Sequence, residues 1–208
     1  MARYTGAVCR LCRREQTKLF LKGEKCYTKC ILDSRPTTPG MAKPQRGKPS
    51  EYQIRLREKQ KLKRMIMMTE TPLVKVMADA SRSPGNSAAV LLRTLEQRLD
   101  NIVRRMGLAT SVNTARQLVS HGHIRVNGKQ VDIPSFKVPV GAEISLDPKM
   151  KDNVGIKLAL EFADKKTNRP AFLVFDAEKL VGKLVRMPGR EESSFPVNDR
   201  LIVEYYSR

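Results

Sequence analysis

Four cysteines are the first residues in the chain whose type and spacing suggest chemistry. Cys9 and Cys12 form a C-x2-C pair, and Cys26 and Cys30 form a C-x3-C pair after a 13-residue spacer. Two thiolate pairs on tight turns can close a tetrahedron around Zn²⁺. Arg10, Arg13, Arg14 and Lys29 stand close by in sequence and would favour the thiolate form. An iron–sulfur cluster and redox-active pairs are the alternative readings of the same residues. With four cysteine ligands a zinc site has no open position for water or substrate. It would be structural, stapling a small basic segment that has almost no core of its own.

A second constellation lies further along. Arg116 and Gln117 are followed by His121 and His123, then by Arg125, Asn127 and Lys129. Arginine forks onto phosphate, while Gln, Asn and His hydrogen-bond to 2′-hydroxyls or base edges. Such a set fits RNA better than catalysis. Asp100 is the one carboxylate that invites a catalytic reading, but its place in a helix beside Arg98 suits an ion pair or a cap better.

The charge balance points the same way. Lys and Arg number 40 against 21 Asp and Glu, a net of +19. Residues 1–64 hold 18 Lys/Arg and 5 Asp/Glu, a net of +13, so the excess is concentrated in the N-terminal third. An excess of this size is relieved by a polyanion, and nucleic acid is the commonest. The candidates for phosphate contact in this region are Arg3, Arg10, Arg13, Arg14, Arg46, Lys48, Arg55, Arg57, Lys59, Lys61 and Lys63. No run approaches the length of apolar residues needed to span a bilayer, and the first residues have no apolar signal core. The expectation is a cytoplasmic protein with no membrane partner and no small-molecule substrate.

The elements that must position these residues can be read from periodicity. Residues 34–49 are rich in Pro, Gly and cations and read as an extended basic loop. Ser50 and Gln53 fit a capping box that starts a long helix, with Tyr52, Leu56, Leu62 and Ile66 as its apolar stripe. Thr71-Pro72 should break or bend it, with a shorter helix at 73–80 and a hinge at 81–87. Leu91, Leu95, Leu99, Ile102, Val103 and Met106 then predict one helix closed by Gly107. Ser111 should cap a second helix that stops at Gly122.

After Gly122 the period changes to 2. Ile124 and Val126 face Val131 and Ile133 across Asn127-Gly128, the strongest short hairpin signal. A strand at 142–146, a helix at 154–163, a buried strand at 171–175, a charged loop at 186–196 and a final strand in LIVEYY complete the reading. The fold class is α+β: a mainly helical basic N-terminal region with a zinc-stapled segment, an αα–β-hairpin RNA-binding unit and a small mixed β region. The expected domains are 1–45, 46–97, 98–160 and 161–208, with about 190–208 packing back on the second.

Longer stretches carry a resemblance. RLDNIVRRMGLATS and ARQLVSHGHIRVNGKQVDIPS are similar to the RNA-binding module of the bacterial small-subunit ribosomal protein number four family. That module recurs in pseudouridine synthases, tyrosyl-tRNA synthetases and a ribosome-linked heat-shock protein. MARYTGAVCRLCRRE, KLFLKGEKC, SEYQIRLREKQKLKR and REESSFPVNDRLIVEYYSR resemble the start, the first long helix and the end of the ribosomal protein itself. The chain departs from the family in the shorter second cysteine spacing, in PTTPGMAKPQRGK, and in the residue before the ARQ helix. The resemblance implies a zinc-bearing structural protein of the cytoplasmic ribosome. It implies direct binding to small-subunit ribosomal RNA, nucleation of 5′-domain assembly, contact with neighbouring ribosomal proteins and with mRNA where it enters, and influence on decoding accuracy. A free RNA-binding regulator and an accessory domain of an RNA-modifying enzyme are the alternatives.

Overall fold

The structure, a computed structural model, describes residues 4–41, 48–166 and 169–207. It divides into two compact units, Met1–Leu92 with Phe195–Arg208, and Arg93–Ser194.

The first unit is helical. Three short helices, α1 (Cys9–Glu15), α2 (Lys25–Thr28) and α3 (Ile31–Ser34), carry the cysteine segment. Helix α4 (Glu51–Met65) begins as expected, with the Ser50 hydroxyl accepting from the Gln53 backbone N–H at 3.3 Å. Its buried positions lie towards its C-terminal end, at Leu62, Met65 and the following Ile66, while Tyr52 is exposed. Helix α5 (Glu70–Arg82) starts earlier than expected. Pro72 does not break a helix but sits in the first turn of α5, where its missing N–H costs no hydrogen bond. Helix α6 (Ser87–Glu96) begins in this unit.

The chain's last element, expected as a strand, is instead helix α10 (Asp199–Tyr206), packed on α4. β-branched and aromatic residues favour strands, but packing decides between the two. As a helix the segment buries Ile202 completely and brings Glu204 to Arg55 at 2.8 Å and the Tyr206 hydroxyl to Glu70 at 3.2 Å.

The second unit holds α7 (Leu99–Met106), α8 (Val112–Ser120), α9 (Val154–Lys166) and a five-stranded antiparallel sheet. The strands are β1 (Ile124–Val126), β2 (Lys129–Gln130), β3 (Glu143–Leu146), β4 (Leu173–Asp176) and β5 (Val181–Leu184), in the order β2-β1-β3-β5-β4. Asn127 and Gly128 take φ of 49° and 78°, and Val126 pairs with Lys129, as the two-residue hairpin requires. Leu99, Ile102, Val103, Met106, Ala115 and Val119 from the helices meet Ile124, Ile144 and Leu184 from the sheet in one core. Strand β5 was not expected; its Gly182 obscures the alternation but lets Met106 lie against the backbone, where an added Cβ would come within 2.6 Å of Met106 Cε. Strand β4 is an edge strand with Val174 exposed, not a fully buried one.

The single helix expected up to Gly107 is two helices, α6 and α7. Arg98 between them is extended, at φ −63° and ψ 136°, and pairs with Lys137 in an isolated antiparallel bridge. Leu99 N–H donates to Phe136 O at 2.9 Å and Val138 N–H to Gln97 O at 3.0 Å, so long-range bonds replace helical ones.

Candidate nucleic-acid interface and cysteine cluster

In the second unit, helical geometry sorts the expected binding residues into two groups. The Ser111 hydroxyl caps α8 by accepting from Thr114 N–H at 3.2 Å, which fixes the helix phase. Asn113, Thr114, Gln117, Ser120 and His121 are then exposed, and Ala115, Arg116, Leu118 and Val119 are buried. Gln117 and His121 thus face solvent, beside a half-buried His123, and the hairpin adds exposed Lys129. A cleft of about 210 Å³ opens among Gln117, His121, His123, Asn153 and Ile156.

Arg116 is brought elsewhere. Only 8% exposed, it donates from Nε at 3.1 Å and from Nη2 at 2.7 Å to Asp100 Oδ2. Arg98 donates to the same carboxylate at 3.1 and 2.9 Å. The expectation of Arg116 as a surface RNA contact is corrected: its guanidinium belongs to a buried ion pair. Asp100 is fully buried and held by both arginines, the structural role that sequence favoured over a catalytic one. Arg125 lies 3.4 Å from Asp147, whose carboxyl is held below its usual range first by the Lys149 backbone N–H and then by Arg125. The Asn127 side-chain oxygen accepts from Glu143 N–H at 2.9 Å, so it staples the hairpin to β3.

In the first unit Arg10, Arg14 and Lys48 are exposed, and Arg13 Nε donates to Thr37 O at 2.9 Å. Arg3 and Arg46 lie outside the described residues. The cations of α4 are mostly paired. Arg55 bonds Glu204 at 2.8 Å and Glu51 at 3.0 Å, and Lys61 reaches Glu58 at 3.4 Å. Arg57 lies 3.2 Å from Glu15, whose side chain is nearly buried and also pairs with Arg64. Lys59, 3% exposed, and Lys63 donate to Glu70 at 2.5 and 2.7 Å. Burial raises the Glu70 carboxyl pKa, but those two hydrogen bonds outweigh it and hold it at about 2. The free phosphate-binding face expected on α4 is therefore corrected for Lys59, an interior strut joining α4 to α5. Exposed Lys149 and Lys151, on the turn before α9, are cations that sequence reasoning passed over. Their signal was a Pro-containing turn flanked by lysines.

Cys9 and Cys12 lie on α1, Cys26 on α2, and Cys30 just before α3. All four are free thiols around one cavity of about 20 Å³, rimmed by Lys22, Lys25 and Lys29. Burial pushes the Cys12 and Cys26 thiols up, although backbone hydrogen bonds at Leu19 and Lys22 act the other way. The donor set has the chemistry of a four-thiolate site. Among the described residues, however, no group of three or more His, Cys, Asp or Glu side chains stands at metal-holding spacing.

Residues 3–96 match the family model for the ribosomal protein S4/S9 N-terminal domain, and residues 97–144 match that for the S4 domain. The boundary between the matches falls at the break between α6 and α7. The chain is 49% identical over 209 residues, covering all of both chains, to small ribosomal subunit protein uS4 of Desulforamulus reducens. The chain belongs to the uS4 family. The uS4 protein of Thermus thermophilus is 47% identical over 210 residues, and that of Ruminiclostridium cellulolyticum 50% over 209, each with full coverage of both chains. Among the described residues no helix is long and apolar enough to cross a membrane.

Proposed function

We propose that the chain is a structural constituent of the small ribosomal subunit that binds its ribosomal RNA and acts by binding, not turnover. The observation that carries this reading is identity of 47–50% with uS4 proteins along the whole chain. The exposed Gln117, His121 and Lys129 of the S4 domain, and Arg10, Arg14 and Lys48 in the basic N-terminal region, support it. Cations neutralise converging phosphates and release counterions, which supplies most of the affinity. The polar face of α8 and the hairpin then selects RNA shape, because A-form RNA hides its major-groove edges. The resemblance extends the proposal to early assembly of the 5′ domain, to contact with neighbouring ribosomal proteins, and to contact with mRNA where it enters the subunit. It also extends to one structural zinc ion held by Cys9, Cys12, Cys26 and Cys30. The common cavity lined by the four thiols supports this reading, and the ion would cross-link α1 to α2 and to the start of α3.

Co-sedimentation with small ribosomal subunits through a high-salt gradient tests the role. Retention with the particle at stoichiometric yield is the expected result. Complete release into the free fraction would favour a dissociable RNA-binding regulator instead.

A further inference from the structure

The cleft at the C-terminal end of α8 has a composition that phosphate binding does not call for. Its floor is apolar, with buried Leu118 and Ile156, and its rim is polar, with Gln117, His121, His123 and Asn153. Its volume of about 210 Å³ admits one planar heterocycle. The two imidazole rings have centroids 6.0 Å apart and are tilted by 57°. That arrangement leaves no slot for a ring sandwiched between them. The exposed imidazole of His121 is the ring available for stacking, and His123 is half-buried.

The rim amides add edge recognition. Asn153 Oδ1 accepts from Gly155 N–H at 2.8 Å, which pins the side chain and leaves its NH2 group to donate. Gln117 is exposed and carries both a donor and an acceptor. The surroundings are cationic. Lys149 and Lys151 are exposed on the same turn, while the carboxylates of that segment are paired, Asp147 with Arg125 at 3.4 Å and Asp152 with Lys157 at 3.0 Å.

An apolar floor, one aromatic face, amide groups at the edge and two lysines outside are the complement of a nucleotide. A base within a duplex has its faces stacked and its pairing edge occupied, so only an unpaired base can present both. We propose that this cleft takes one unstacked nucleobase of the bound RNA. His121 stacks on its face, Gln117 and Asn153 hydrogen-bond its edge, and Lys149 and Lys151 meet the flanking phosphates. The proposal rests on the RNA-binding reading and adds a loop, bulge or strand end to it as the feature recognised.

The test uses the full-length protein and two RNA hairpins of one sequence. One carries a single bulged 5-iodouridine; the other pairs that iodouridine with adenosine. The bulged hairpin is expected to bind about tenfold more tightly, the order of one base–aromatic stack. Ultraviolet cross-linking of the wild-type complex should map the iodouridine to residues 117–123 or 150–156. Changing His121→Ala should remove most of the preference, and His121→Phe, which keeps a stacking face, should retain it. In His121→Ala, affinity for the bulged hairpin should fall by a larger factor than affinity for the paired one. Equal affinity for the two hairpins, with cross-links elsewhere, would overturn the cleft proposal and leave RNA binding standing. Loss of preference in His121→Phe as complete as in His121→Ala would overturn the stacking role. Failure to bind either hairpin at low salt would sink the RNA-binding reading along with it.

Discussion

Changing Asp100→Asn should unfold the S4 domain more readily than removing any cation on its surface. Asp100 is fully buried, and its two oxygens receive four hydrogen bonds from Arg98 and Arg116, which are 7% and 8% exposed. The amide removes the negative charge that both buried guanidinium groups share. Breaking a buried pair in this way costs about 3–5 kcal/mol. A folding unit of about 100 residues shifts its melting point by about 4–8 °C per kcal/mol, so a fall of at least about 12 °C is expected. Arg116→Met alone should cost less, about 1.5–3 kcal/mol, because Asp100 keeps Arg98. The double variant should be no worse than Asp100→Asn, since Met leaves no orphaned charge at that position. Urea unfolding, read through hydrogen exchange of the β1 and β3 amides, isolates the unit that holds the pair. Additivity within about 0.5 kcal/mol would refute the coupling. The same variants separate structure from recognition. At a temperature where Asp100→Asn/Arg116→Met is folded, its RNA affinity should match that of the wild type within about twofold. A loss of about tenfold or more, the scale of a charge-assisted contact, would return Arg116 to the RNA surface.

Glu70 gives a pH signature to the helical unit. Its carboxyl is held at about 2, below its ordinary 4.5, so the stabilisation is fully present above pH 4.5 and is lost as pH falls towards 2. Acid titration of helicity in Glu70→Gln should therefore be flatter over that window than in the wild type; parallel curves would count against the Lys59–Glu70–Lys63 strut. Metal analysis of freshly prepared ribosomal particles should find about one zinc per chain, lost in a Cys12→Ser variant. Particles containing neither zinc nor iron at this protein would dismiss the metal site. Lys129→Gln should lower the log–log salt slope of RNA binding by roughly one unit, and an unchanged slope would remove Lys129 from the phosphate contacts.

Some features were legible because their physics is local. Ser50 and Ser111 cap helices by reaching a backbone N–H three residues on, and both do so here. Asn127-Gly128 makes its turn because these two residues tolerate positive φ. The excess of cations, +19 overall, is a sum over the chain and needs no fold. The end-to-end order of recognisable segments likewise made the family legible before any coordinates.

The tertiary structure alone decided which cations are free. Arg55 meets Glu204, Arg64 meets Glu15, and Arg116 meets Asp100, pairs separated by 149, 49 and 16 residues. Neither charge counting nor helical periodicity could assign them, because an ion pair depends on which distant element is packed alongside. The same reason governs two of the misread elements. LIVEYY is helical because α4 offers it a surface, and the chain breaks at Arg98 because residues 134–138 supply the backbone partners that a continuous helix would have supplied itself. Local chemistry fixes caps and turns; long-range packing fixes whether an arginine faces RNA or an aspartate.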